Sequence, residues 1–560
     1  VREATVPGSA IDRLRFTAGL AVAGALLGYG LTVEQGLSDG RWLALLALAW
    51  LAGAIACWPR LPKSAQPFPR TAAQVVFVLV SLFMLVTVQL VRYQVFDREA
   101  IASRTGGDIA TGDTIGNPRA IDASLAATRG AIYDRDGILI AGVEVIDGVG
   151  YRTYPNPDTA YVAGYYSPLQ YGFAGLEATW DDELSGRASG SPGRDALDGL
   201  LHRDKEGSDL TLTLDGDLQA LAHDLLAGRT GAVVLLDVRT GATLVLASEP
   251  HVDPASLVAV TIDERDQAAV YWQSLIDDPR APLVLRATGG RYTPGSTFKT
   301  VTAAAALAGG IATPGSVYID DGSIEIDGRV IPENNRPDDT VDEWTLAEGY
   351  GYSLNVVFAR VGLAVGPDRL TSTAESFGFD GAPPYDLPVA ESQVANDPDF
   401  LDDDVALAET SFGQGQLLAT PLQMAMVAAC VANDGVMMRP YLVAGVISPD
   451  GDVVWEAEPE VWRRPISGQV AGDLQGLMVG AVETGYVGGA AIPGAIVGGK
   501  TGTAETGDGE PHSWFIGWAG DEGGEPRFAV AVVLEHGGAQ TSQAVAIGQQ
   551  MLAAALSQPD

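Results

Sequence analysis

The stretch GGRYTPGSTFKTVTAAAALAGG (residues 289–310) decides how this chain is read. Pro294-Gly295 is a turn signal, and the run from Phe298 to Leu307 predicts a helix closed by Gly309-Gly310. Ser296 and Lys299 then stand one helical turn apart at the mouth of that helix. A serine at such a place most often serves as an N-cap, and a lysine there has the wrong sign for the positive end of the helix dipole. Composition favours chemistry over capping. The chain has 34 Lys plus Arg, yet only four are lysines: Lys63, Lys205, Lys299 and Lys500. Arginine keeps its proton in a protein, whereas a buried lysine gives it up readily. A helix N-terminus favours the neutral amine, which can take a proton from Ser296.

The rest of the composition bounds the class. At 560 residues the chain has room for two or three domains beside a membrane region. Three apolar stretches near the start, Phe16–Val33, Trp42–Trp58 and Ala72–Leu90, each approach the ~17–20 residues that cross a bilayer. No small-residue cleavage site follows the first, so it reads as a span and not as a signal peptide. The loop Pro59–Arg70 carries Arg60, Lys63 and Arg70 and no acid, which predicts that it and the N-terminus are cytoplasmic. Everything after Arg92 is then extracytoplasmic. Residues 1–92 carry net +4, which leaves −41 of the total −37 for the remainder. So acidic an outer part argues against nucleic acid and anionic lipid surfaces as ligands. Cys57 falls in a span and Cys430 in the apolar run PLQMAMVAACVAN, so no disulfide is expected. The five histidines (His202, His223, His251, His512, His536) show no ligand spacing, and neither a metal nor a cofactor is indicated.

Along the chain, residues 93–128 read as a polar juxtamembrane connection, with SGRASGSPGRDA as a further loop near 190. TRGAIYDRDGILIAG (128–142) predicts a hairpin, and SDLTLTLDGDLQALAHDLL switches from strand to helix at Asp215. GAVVLLDVRTGATLVLAS predicts two buried strands about a tight turn, and FAVAVVLEHGG a strand before a last helix at 540–557. The expected boundaries are 1–92 for the membrane region, 93–207 for a small extracytoplasmic domain and 208–560 for the large one.

Two more polar pairs accompany Ser296 and Lys299. Ser353-Leu354-Asn355 opens an apolar helix in EGYGYSLNVVFARVG, and VGGKTGTAE sets Lys500-Thr501-Gly502-Thr503 on an expected strand edge. Either alone reads equally as a cap or a turn. Ser-x-x-Lys, Ser-x-Asn and Lys-Thr-Gly in that order form a strong joint signal.

Here the sequence resembles the class B penicillin-binding proteins. Besides the three motifs, the resemblance covers RGAIYDRDG, GLEATWDDELSG, GAVVLLDVRTGATL, YTPGSTFK, GQGQLLATPLQMA and KTGTAE with WFIGWA, most of 129–557. GYYSPLQYGFAGLEATWDDELSG is most similar to the division-associated penicillin-binding protein A group. No Glu-Asp-x-x-Phe glycosyltransferase signature precedes the hairpin, PASTA repeats are absent, and three spans depart from the single span usual in the family.

The resemblance implies an α+β serine transpeptidase (β-lactamase-like) domain, an antiparallel sheet flanked by helices, behind a small pedestal or dimerisation-like domain. It implies a monofunctional peptidoglycan D,D-transpeptidase in the bacterial cell membrane. Ser296 would attack the D-Ala-D-Ala bond of a stem peptide, with Lys299 as base. Ser353 and Lys500 would pass a proton to the leaving group, while Asn355, Thr501, Gly502 and Thr503 hold the donor. The N–H groups of Ser296 and Thr503 would form the oxyanion hole. β-Lactams would acylate the same serine, and a second stem peptide would supply the acceptor amine. A polytopic glycan polymerase of the FtsW/RodA type is the implied membrane partner. The motifs also admit a D,D-carboxypeptidase or β-lactamase, and a membrane β-lactam sensor, for which no cytoplasmic loop here is long enough.

Overall fold

A computed structural model describes residues 10–32, 39–58, 67–93, 106–107, 114–115, 129–146, 149–188, 206–259, 261–507 and 509–558. The chain divides into two compact units, residues 1–123 and 124–560. Residues 59–66 of the basic loop, nearly all of the 93–128 connection and the Ser/Gly/Pro-rich segment at 189–200 lie outside the described residues.

The first unit holds three helices, α1 (Ala10–Thr32), α2 (Asp39–Cys57) and α3 (Pro67–Val91). Among the described residues, α2 and α3 are long and apolar enough to cross a bilayer, and the charge-free run of α1, residues 16–32, is just under that length. α1 and α2 pack as a hairpin through small residues. A Cβ on Gly19 would lie 2.7 Å from the Cβ of Ala56, and one on Gly30 2.7 Å from the Trp42 ring. A Cβ on Gly28 would meet nothing within 4 Å. Trp42 Nε1 donates to Gln89 Oε1 of α3 (2.5 Å), which ties the hairpin to the third helix.

The second unit begins on the expected hairpin, β1 (Ile132–Tyr133) and β2 (Leu139–Ile146), continued by β3 (Val149–Thr153). Asp134 makes the turn: its Oδ1 accepts the N–H groups of Asp136 and Ile138, and Gly137 takes φ +78°. β4 (Asp209–Leu212) follows, then α4 (Gly216–Leu226), capped by the Asp215 side chain on the Leu218 N–H. The two apolar runs form β5 (Gly231–Asp237) and β6 (Thr243–Glu249). After them come α5 (Lys299–Ala308), α6 (Asn355–Val365) and α7 (Pro421–Ala432), then β7 (Val443–Ile447) and β8 (Val453–Glu456). The chain then runs through α8 (Gly468–Glu483), β9 (Ala495–Ala504), β10 (His512–Asp521), β11 (Pro526–Leu534) and α9 (Ser542–Ser557).

Two sheets result. The larger runs β6-β5-β11-β10-β9, antiparallel throughout, with β9 at its edge. Its strands are buried almost without a break, as expected of a sheet covered on both faces. α4 and α9 pack on one another and on this sheet, α7 on β5, β10 and β11, and α8 on β9. The second sheet runs β8-β7-β4-β1-β2-β3, with β1 and β4 parallel. It crosses the boundary expected near residue 208, because β7 and β8 come from far down the chain. No local pattern in the sequence shows that pairing.

Beside this sheet lies a buried ion cluster. Arg129 Nε and Arg152 Nε each reach a different oxygen of Glu177 at 2.6 Å, and Arg129 Nη1 reaches Asp181 at 2.5 Å. Burial pushes the Glu177 carboxyl up, but Arg152 and Arg129 outweigh it and hold it below the usual range.

Candidate active site

The opening stretch folds as a 3-10 turn, Gly295–Phe298, that runs into α5 at Lys299. The turn is held by its own residues and by the edge strand. Thr297 Oγ1 donates to Pro294 O (2.7 Å), and Trp514 Nε1 on β10 donates to Thr293 O (3.1 Å). Gly295 (φ +54°) lies so close to β9 that a Cβ would stand 2.3 Å from Thr503 O. A Cβ on Gly502 would meet Pro294 O at 2.6 Å, and one on Gly413 would meet Gly295 O at 1.7 Å. Glycine is required at all three because backbone meets backbone there. This packing brings the first motif against the third.

Lys299 and Lys500 are both fully buried, at 0% exposure. Lys299 Nζ donates to Ser353 O (2.6 Å) and Asn355 Oδ1 (2.8 Å), with Ser353 Oγ at 3.3 Å. Lys500 Nζ donates to Ser353 Oγ (2.9 Å) and Thr501 O (3.0 Å). A neutral amine has two N–H groups and one lone pair. If Lys299 spends its N–H groups on the two shorter bonds, its lone pair is left for a hydroxyl proton. Burial pulls Lys299 down to about 7, partly opposed by the charge of Glu333. Burial and the Lys299 charge hold Lys500 well below the usual lysine range. Two ammonium groups sharing one hydroxyl repel, so the pair titrates together and holds at most one proton near neutrality.

Ser353 sits at φ +62°, a left-handed conformation costly for any side chain, about 1 kcal/mol or more. It precedes α6, whose first residue is Asn355 and whose Leu354 cap position makes no side-chain cap bond. The serine is thus not an N-cap. Ser296 is half-buried, and among the described residues its hydroxyl makes no hydrogen bond. Thr501 is buried and Thr503 half-buried; Thr503 Oγ1 donates to Ala539 O (3.3 Å). The three motifs, scattered over more than two hundred residues of sequence, therefore meet at one place. Serine, two titratable lysines and an edge strand facing the serine turn make a proton-transfer site beside a nucleophile.

Against this geometry the comparisons are specific. The family model "Penicillin binding protein transpeptidase domain" matches residues 231–553. The chain belongs to that family. "Penicillin binding protein A dimerisation domain" matches residues 129–210 of this penicillin-binding protein. The peptidoglycan D,D-transpeptidase PbpA of Mycolicibacterium smegmatis is 37% identical over 459 residues, 79% of this chain and 91% of the relative. Penicillin-binding protein A of M. tuberculosis, solved as a ceftriaxone acyl-enzyme complex, superposes with a TM-score of 0.70 at 36% identity. That likeness covers 78% of this chain and 100% of the other. The same protein as a penicillin G acyl-enzyme complex gives 0.69 at 36% identity, over 77% of this chain and 100% of the other.

Some neighbours of the site carry no motif. Glu333 and Asn335, just before the second motif, bond the backbone around Ser353. Tyr292 Oη and Arg286 Nε both donate to Glu535 at 2.7 Å, and the ring of Tyr292 meets that of His512. None of these stood out in sequence, because each partner lies at a distance that no local period marks. Elsewhere, the fold brings His223, Glu249 and His251 together, which their spacing does not suggest. His223 Nδ1 lies 2.7 Å and His251 Nδ1 3.2 Å from the same Glu249 oxygen. Gln219 fixes how His223 is protonated. Its Oε1 accepts the Leu246 N–H, so its NH2 group faces His223 Nε2 (3.3 Å) and leaves the His223 proton on Nδ1. A metal on Nδ1 would put a proton on Nε2, donor against donor. The triad is a hydrogen-bonded cluster. Burial pushes the Glu249 carboxyl up, but the bonds from both histidines outweigh it and hold it at about 2.

Proposed function

We propose that this chain is a peptidoglycan D,D-transpeptidase whose Ser296 carries the acyl group. The observation that carries the reading is the Ser353 hydroxyl set between two fully buried lysines, one of them at about 7. Neutral Lys299 takes the proton of Ser296 as its oxygen attacks the carbonyl between the terminal D-alanines. Lys500 donates to the Ser353 oxygen, and Ser353 passes a proton to the departing D-alanine as the C–N bond breaks. Asn355 holds the donor peptide, and Lys500, Thr501 and Thr503 hold its terminal carboxylate, with Gly502 leaving room for its backbone. The N–H groups of Ser296 and Thr503 face the oxyanion, a device worth roughly 3–4 kcal/mol per donor. An amine from a second stem peptide then displaces Ser296 and closes the cross-link. β-Lactams enter the same path and remain on the serine.

Lys299→Arg tests the base. A guanidinium stays charged, so labelling by a fluorescent penicillin should slow roughly 10²–10⁴-fold. Lys299→Met, with no charge to bury, serves as the folding control and should be as slow. Wild-type labelling by the arginine variant would remove Lys299 from the base role.

In this reading residues 93–207 are the pedestal, 208–560 the transpeptidase domain, and 1–92 a membrane region of three spans with a cytoplasmic N-terminus. α3 corresponds to the single span usual in the family, and the α1–α2 hairpin adds contact area for a glycan polymerase of the FtsW/RodA type. Deleting residues 1–59 should leave penicillin labelling unchanged and weaken co-purification with the polymerase. Full-strength co-purification would assign that contact to α3 and the pedestal alone.

A further inference from the structure

The carbonyl oxygen of Ser353 takes two donors, Lys299 Nζ (2.6 Å) and Asn335 Nδ2 (3.0 Å). The second comes from the segment Glu333-Asn334-Asn335, which follows the short strand Arg329–Pro332. Glu333 clamps this segment to the helix that carries Asn355. Its Oε1 accepts the N–H groups of Asn334 (3.0 Å) and Asn335 (2.9 Å), while its Oε2 accepts the N–H of Val356 (2.9 Å) in the first turn of α6. A carboxylate at a helix N-terminus is well placed by the dipole and by the open N–H groups. Tyr486 closes the segment from α8's side, its hydroxyl donating to Asn335 O (2.9 Å). A left-handed Ser353 is kept only where its surroundings over-determine it, and these bonds are those surroundings.

We propose that Glu333 is a positioning residue of the reaction: through Asn335 and Val356 it fixes Ser353 and Asn355 and sets a carboxylate beside the Lys299–Ser353–Lys500 network. The inference rests on the assignment of Lys299 as base given above. The charged and titratable groups around Lys299 are Lys500 on β9, Glu333, and the Tyr350 phenol, which bonds Thr300; the Phe358 ring lies beneath the amine. Among the charged and titratable groups described there, Glu333 is the one that favours the ammonium form, and the Phe358 ring adds a cation–π contact. Without Glu333, Lys299 would become neutral at a lower pH; the proton for the leaving group still comes from Ser296, by way of Lys299 and Ser353.

The test is the rate of covalent labelling by a fluorescent penicillin, measured from pH 5.5 to 9.5 on the full chain in detergent. The wild-type rate should rise with pH about a midpoint near 7, where Lys299 becomes neutral. Glu333→Gln keeps the shape and loses the charge, and should move the midpoint down by about one unit. Glu333→Asp keeps the charge on a shorter stem and should keep the midpoint near the wild-type value. A Glu333→Gln midpoint equal to that of wild type overturns the proposal, whether or not the rate falls at every pH. If Glu333→Gln does not fold, a Glu333→Asp midpoint as low as that expected for the glutamine variant overturns it instead. Wild-type protein that takes no label, or Ser296→Ala protein that does, would count against the nucleophile and not against Glu333.

Discussion

Ser296→Ala protein should stay folded and take up no labelled penicillin. The expected loss is about 10⁶-fold in labelling rate, the scale seen when the nucleophile of a serine enzyme is removed. Stability should hardly change. Ser296 is half-buried and its hydroxyl makes no hydrogen bond among the described residues, so the alanine leaves no partner unpaired. The glycines that shape the turn, Gly295, Gly413 and Gly502, are untouched. Gel fluorescence after labelling, with a thermal melt on the same sample, separates the two effects. Label retained on the alanine variant would place the nucleophile at another residue.

The second large effect is expected far from the chemistry, in the pedestal. Glu177 is fully buried between Arg129 and Arg152, both themselves buried, and also receives the Tyr154 hydroxyl (3.2 Å). Removing the carboxylate with Glu177→Ala leaves the buried Arg152 guanidinium without a counter-charge and Arg129 with Asp181 alone, a change that costs about 3–5 kcal/mol. Trp180 and Trp455, with ring centroids 5.6 Å apart, join this region to β8 and report on it. Denaturant titration followed by tryptophan fluorescence should show an earlier transition in the variant. The pH dependence has a definite sign. The folded Glu177 pKa lies below its ordinary 4.5, so its contribution is complete above about pH 4.5 and is lost as pH falls through the folded value. Wild type should therefore lose stability on acidification, and Glu177→Gln should lose less. Equal stability of Glu177→Ala and wild type at pH 7 would show that the cluster contributes nothing net.

Residues Gly231–Glu249 show what is legible locally: two apolar runs around Asp237-Val238-Arg239-Thr240-Gly241 form β5 and β6 as the pattern predicts. The hairpin at 132–146, the strand-to-helix switch at Asp215 and the last helix were legible for the same reason: each is set by neighbours within a few residues. The three motifs were legible through residue type, since four lysines among 34 cations make Lys299 and Lys500 conspicuous. The environment of those lysines was not. That Lys299 and Lys500 bracket one hydroxyl, and that burial brings one of them to about 7, depends on β9 meeting the Ser296 turn across two hundred residues.

Residue type and short-range pattern thus determined which groups this chain has for acyl transfer, that apolar helices stand near its N-terminus and which strands form hairpins. Tertiary structure decided the rest. It joined β7 and β8 to the pedestal sheet, paired Arg129 and Arg152 with Glu177, gathered His223, Glu249 and His251, and put Glu333 behind Ser353. The reason is physical. Backbone propensity and hydrophobic period act over a few residues, whereas desolvation, charge pairing and close backbone approach act between segments that only the folded chain brings together.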